Sequence, residues 1–111
     1  MSPAKKFNPG SPPYNSKRTI INYLDSGKYH ITNKAKKCAA DDFCWGKTDI
    51  VKVLKKLSPT KHFHKKAIHW TNPEIVVDYY RARGLMGENV FTHFHIDPED
   101  DLLIINSFKE I

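Results

Sequence analysis

Two histidine pairs stand out by type and spacing, His62-x-His64 and His93-x-His95. Residues two apart in an extended segment face the same side, so each pair would present two imidazoles together. The second pair lies in V-F-T-H-F-H-I (90–96), whose alternation separates Phe91, His93 and His95 from Val90, Thr92, Phe94 and Ile96. The second set reads as core and the first as an exposed, working face. By the same rule Ser107 and Lys109 share one side of the last apolar segment, opposite Phe108. In E-I-V-V-D-Y-Y-R-A-R (74–83), Ile75, Val77, Tyr79 and Arg81 form one set, and Val76, Asp78 and Tyr80 the other. Alternation alone does not assign which of these sets accompanies His93.

Histidine, lysine, arginine and aromatic side chains on one sheet face suit RNA. Cations neutralise phosphate, rings stack on exposed bases, and imidazole moves protons near neutral pH. The same residues also serve as plain cross-strand packing. The histidine pairs admit a metal reading as well, but transition-metal sites usually add carboxylate or thiolate ligands at set spacings, and no HExxH or paired-Cys pattern is present. Neither a metal nor a cofactor is expected. Cys38 and Cys44, spaced C-x5-C, read as reduced, small, semi-buried residues. The absence of P-loop, GxGxxG and GxSxG patterns removes support for nucleotide hydrolysis and serine-hydrolase chemistry.

The elements that must position these groups change character along the chain. Residues 1–15 hold Pro3, Pro9, Pro12 and Pro13 with Ser, Asn and Gly10, a composition that predicts a flexible lead-in to a single domain over 16–111. Ser16 is placed to cap a helix over 17–26 with Ile20, Ile21 and Leu24 on one face and Gly27 as its stop. Thr32 is placed to cap a second, over 33–43, through Ala35, Cys38, Ala39 and Phe43. Thr48 opens a third, with Ile50, Val53, Leu54 and Leu57 as its buried stripe and Lys52, Lys55 and Lys56 opposite. Ser58-Pro59 restarts the chain into one or two helical turns over 60–66. Past Trp70 the period shortens to two, and 74–83, 90–96 and 102–108 read as strands joined by short turns. The expected class is α+β, with short helices packed on an antiparallel sheet of at least three strands.

The chain of 111 residues is enough for one domain. No apolar run approaches a membrane span, and no apolar stretch follows the basic start as a secretory signal would require. A cytoplasmic protein with no membrane partner is therefore expected. The formal net charge of +6 is unevenly spread. Residues 1–66 carry 15 Lys and Arg against 4 Asp and Glu, whereas 67–111 carry 3 against 8. Such asymmetry is a common footprint of polyanion binding, and it also arises from solvated lysine faces on helices.

The segments L-S-P-T-K-H-F-H-K-K (57–66), I-V-V-D-Y-Y-R (75–81) and S-F-K-E (107–110) resemble the motility quorum-sensing regulator (MqsR) family of toxins, over about residues 17–111. The resemblance implies a RelE-like RNase toxin fold. It also implies a type II toxin that cuts messenger RNA without ribosome or metal, favours GCU-type sequences, and is held in check by a cognate MqsA-type antitoxin. By position it assigns the family's site lysines to Lys65 and Lys109 and its arginine to Arg81. Three positions depart from the family pattern: Val77 stands for a glutamine, Phe91 for a tyrosine and His93 for a lysine. An amide and a hydroxyl that serve relatives are thus missing, and the proton-transfer scheme does not carry over intact. On this reading Lys65, Lys109 and Arg81 supply charge, His93 transfers the proton, and Tyr79 and Phe91 stack flanking bases. The alternatives are a catalytically weak relative that binds RNA or antitoxin, and a histidine-dependent metal nuclease.

Overall fold

A computed structural model describes residues 11–111; Pro3, Pro9 and the rest of 1–10 lie outside the described residues. Three helices lie among the described residues, α1 (Lys17–Asp25), α2 (Asn33–Phe43) and α3 (Lys47–Lys56). Ser16 and Thr32 accept from the backbone N–H groups of Thr19 and Ala35, supplying the capping bonds expected at the starts of α1 and α2. The third helix begins one residue earlier than Thr48, because the Asp49 carboxylate accepts from Gly46 N–H and closes the first turn around a glycine cap. Cys44 ends α2 in the left-handed region and is exposed rather than semi-buried, while Cys38 is half-buried; both are free thiols.

The strands are β1 (Tyr29–Ile31), β2 (Phe63–Ile68), β3 (Val76–Leu85), β4 (Glu88–Asp97) and β5 (Leu102–Glu110). They form one sheet in the order β1-β5-β4-β3-β2. The architecture is α+β as expected, and two elements differ from the sequence reading. The short segment β1, between α1 and α2, joins the sheet parallel to β5, so the sheet is mixed rather than purely antiparallel. The segment 60–66 is not helical beyond one turn. Ser58 carbonyl accepts from His62 N–H and its hydroxyl accepts from Thr60 and Lys61 N–H; the chain then extends into β2 against β3. Pairing the free edge of β3 satisfies more backbone groups than a second isolated turn would.

One sheet face carries the core. Tyr80, Ala82, Val90, Phe94, Leu103, Ile105 and Phe108 pack with Ile20, Leu24, Ala35, Ala39, Ile50, Val53 and Leu54 from the helices. Because side chains alternate, the helices cover this face and leave the other to different uses. Three register shifts interrupt the ladders, one between Ala82 and Leu85 beside the β3–β4 turn and two on the outer strands that adjust the alternation at the open face. On β5, Ser107 pairs with His93 but Ile105 pairs with Phe94, so Asn106 is an extra residue. That insertion lets Ile105 and Phe108, three apart, both reach the core, with Ser107 and Lys109 on the other side. On β2, Phe63 pairs with Tyr80 and Lys65 with Tyr79, making His64 the extra residue. Phe63 therefore packs edge-on against Tyr80 at 5.4 Å while Lys65 lies on the opposite face.

Residues 14 and 15, placed by composition in the flexible lead-in, are tied to the sheet. Asp78 is fully buried on the core side and accepts from Tyr14 N–H at 2.8 Å, Asn15 N–H at 2.9 Å and the Asn15 side-chain amide at 3.3 Å. Burial pushes the Asp78 carboxyl above its ordinary value, and these hydrogen bonds counteract part of that shift. The three donors converge on two oxygens, which an amide cannot match without setting its NH2 against an N–H. Asp78→Asn is therefore expected to lower stability by about 1–3 kcal/mol, read as a lower urea midpoint at unchanged slope.

Candidate nucleic-acid interface

The register decides what the sequence left open. Tyr79 pairs with His93 and Arg81 with Phe91, so Tyr79 and Arg81, not Asp78 and Tyr80, share the face of Phe91 and His93. Lys65 pairs with Tyr79, Ser107 with His93 and Lys109 with Phe91. Two adjacent cross-strand rows result. One reads Lys65–Tyr79–His93–Ser107 across β2 to β5, and the other Arg81–Phe91–Lys109 across β3 to β5. All six site residues chosen from the sequence thus occupy one face, the one the helices do not cover.

The rows interlock through rings and cations. Tyr79 lies 4.7 Å from His93 and 6.3 Å from Phe91, and Phe91 meets His93 edge-on at 5.8 Å. The Lys65 ammonium sits 5.1 Å from the Tyr79 ring centre, and the Lys109 ammonium 5.5 Å from that of Phe91. These cation–π contacts hold two flexible lysines over aromatic ground while leaving both exposed. Arg81, Phe91 and Lys109, with Glu110 and Ile111, line a cavity of about 260 Å³. Neither lysine has a carboxylate within ion-pairing distance among the described residues. Glu110 borders the same cavity without pairing with either.

His93 is the distinctive member. Burial, then the charges of His95, Lys109 and Lys34, push its imidazole down to about 4, so the ring is neutral at pH 7. Its Nδ1 is sealed from solvent with no hydrogen-bond partner, which leaves Nε2 as the nitrogen available to a ligand. His95, expected beside it on the open face, is instead 6% exposed and bonded at Nδ1 to the bulge residue Asn106 at 2.8 Å. The other pair separates as well. His62 Nδ1 accepts from Ser58 N–H within the turn before β2, whereas His64 is the exposed bulge residue. Among the described residues, no three His, Cys, Asp or Glu side chains gather as a metal-ligand set.

The loop between β2 and β3 supplies what the sequence reading missed. His69 stacks on Trp70 at 3.9 Å and meets His95 edge-on at 4.8 Å, while Trp70 lies 6.0 Å from His93. The loop adds to the cover that Tyr79 and Phe91 give His93 and that Asn106 gives His95. A tryptophan beside the turn-forming run Thr71-Asn72-Pro73 was the available signal. Val77 is fully buried on β3 and offers no polar atom to this face. Among the described residues, no helix is long and apolar enough to cross a membrane. No protein-family model matches the chain, and a search of curated proteins finds no match.

The depressed His93 value has a consequence for stability. The unfolded ring takes up a proton near pH 6.5, and the folded ring only near 4. The folded state thus binds fewer protons in this window, and stability held above pH 6.5 is lost as pH falls toward 4. Urea midpoints measured at pH 7.5 and 4.5 are expected to drop less in His93→Gln than in the parent. The residual slope comes from His95, His62 and His64, all of which burial also pushes down.

Proposed function

We propose that this protein is a metal-independent endoribonuclease of the MqsR type, the cytoplasmic toxin of a type II pair, blocked by an MqsA-type antitoxin. The observation that carries the reading is the meeting of Lys65, Arg81 and Lys109 with Tyr79, Phe91 and His93 in two neighbouring rows on the face without helices. The family resemblance of 57–66, 75–81 and 107–110 selects RNA cleavage among the uses of such a face.

The chemistry follows from the charges available. The 2′-oxygen attacks the adjacent phosphorus as its proton passes to His93 Nε2; the P–O5′ bond breaks, and the leaving 5′-oxygen takes a proton from the ammonium of Lys65 or Lys109. Arg81 and the two lysines stabilise the negative charge that builds on the phosphorane, which is commonly the largest catalytic contribution. A neutral His93 accepts a proton at pH 7 but is almost never in the form that donates one, so the acid role falls to a lysine. Tyr79 and Phe91 hold bases on either side of the reacting phosphate by stacking.

A second reading has its own observation. For Nε2 to accept a proton, Nδ1 must carry the ring hydrogen, and no acceptor meets it there. No group fixes the productive tautomer, which favours a protein that binds RNA or antitoxin with little or no turnover.

Incubation with an unstructured RNA in excess EDTA separates these readings. Cuts leaving 2′,3′-cyclic phosphate and 5′-hydroxyl ends are expected, with Lys65→Ala or Lys109→Ala lowering the rate by about 10²-fold. His93→Ala is expected to lower it by about 10²–10⁴-fold, and a loss under about threefold would return His93 to packing. RNA retained uncut, with or without added metal, would establish the binding module. Cutting only after metal is restored would overturn the lysine mechanism.

A further inference from the structure

Trp70 has no part in the chemistry above, yet it is the most conspicuous side chain beside it. It is 60% exposed, which for the largest apolar ring invites an explanation. It is also held. His69 lies parallel beneath it at 3.9 Å with 25° between the planes. His69 is in turn fixed, because its Nδ1 accepts from Thr71 N–H at 3.1 Å and Asn72 N–H at 3.3 Å. Its edge contact with His95, itself anchored to Asn106, completes the support. Three side chains, His69, His95 and Asn106, thus keep one indole in place at the surface.

The surroundings say what such a ring would meet. Trp70 to His93 is 6.0 Å, and His93 to Tyr79 and Phe91 is 4.7 and 5.8 Å, so aromatic rings continue from the loop into both rows. Lys65 flanks this track over Tyr79, and Arg81 and Lys109 flank it beside Phe91, with none of the three in contact with Trp70. Phosphate would thus be met along the two rows at one end, and a bare π-face is offered beyond them at the other. A single-stranded nucleic acid, whose backbone is anionic and whose bases have π-faces, fits both ends at once. A folded protein partner would have to bring rings and acidic groups at the same spacing.

We propose that Trp70, braced by His69, is a stacking platform for a base of single-stranded RNA beyond the two rows, extending the binding site across the β2–β3 loop. The proposal rests on the RNA reading above. Stacking carries little sequence information, so the platform lengthens the footprint and strengthens binding rather than selecting a cut site. It also adds no charge, so its contribution is insensitive to salt, unlike that of Lys65.

The test uses the full chain with Trp45→Phe, which leaves Trp70 as the sole indole; phenylalanine preserves the packing of Trp45 against Phe43 and Phe108. The ligand is a 2′-O-methyl oligoribonucleotide, which has no free 2′-hydroxyl and cannot be cut, with inorganic polyphosphate as the base-free anion. Indole emission is expected to fall on adding the oligonucleotide and to stay unchanged with polyphosphate. Trp70→Ala is expected to weaken oligonucleotide binding about five- to hundredfold with the same dependence on salt, and Trp70→Tyr to restore most of it. Equal quenching by polyphosphate, or parental affinity in Trp70→Ala, overturns the platform. If the parent protein cuts RNA while Trp70 stays silent, the platform alone fails. If it neither binds nor cuts RNA, the platform and the nuclease reading fail together. Quenching without cutting upholds the platform on a binding protein.

Discussion

The pairing of Tyr79 with His93 is the constraint on which the rest depends. Strand side chains alternate, so a slip of one residue in β3 would exchange both its faces. Asp78, Tyr80 and Ala82 would leave the core, and Tyr79 and Arg81 would enter it. Burial prevents the slip. Tyr80 stacks on Phe94 at 5.4 Å, and Asp78 is committed to Tyr14 and Asn15. The packing that stabilises the fold therefore also fixes which cations and rings face outward, and the candidate site needs no scaffold of its own.

The bulges at Asn106 and His64 extend this control to the outer strands. Without the extra residue at Asn106, Ile105 and Phe108 could not both be buried, and Lys109 would turn away from Phe91. Without that at His64, Phe63 and Lys65 would share a face, and either a core ring or a site lysine would be lost. Bulges often re-aim side chains near working sites. Here each brings one lysine to one edge of the same aromatic surface, and Asn106 in addition anchors His95.

Electrostatics follow from coverage rather than from composition. The basic excess of residues 1–66 is carried largely by helix lysines, on the layer that covers the core face. Of the three site cations, only Lys65 comes from that half; Arg81 and Lys109 come from the half with net negative charge. These three share one sheet face, and among the described residues none of them forms an ion pair, although Glu110 lines the same cavity as Arg81 and Lys109. Burial, then the charges of His95, Lys109 and Lys34, keep the His93 ring neutral, so the surface combines cations at its edge with uncharged rings at its centre.

By itself the sequence determined the helix spans to within a residue or two, their caps at Ser16 and Thr32, and three of the five strands. It also sorted Phe91 from Phe94 and Lys109 from Phe108, because period and capping are local properties that neighbouring residues express directly. The resemblance to a toxin family gave Lys65, Lys109 and Arg81 their expected roles; without it Lys65 and Lys109 read as plain solvated lysines. Only the tertiary structure joined Tyr79 and Arg81 to His93, turned 63–68 into a strand, added β1 in parallel, hid His95 and set Trp70 beside His93. These depend on which surfaces another strand or loop covers, and a bulge leaves no period by which to foresee it. A side chain's face is written in its own strand, but its neighbours are chosen by register, and register is settled by burial across the whole sheet.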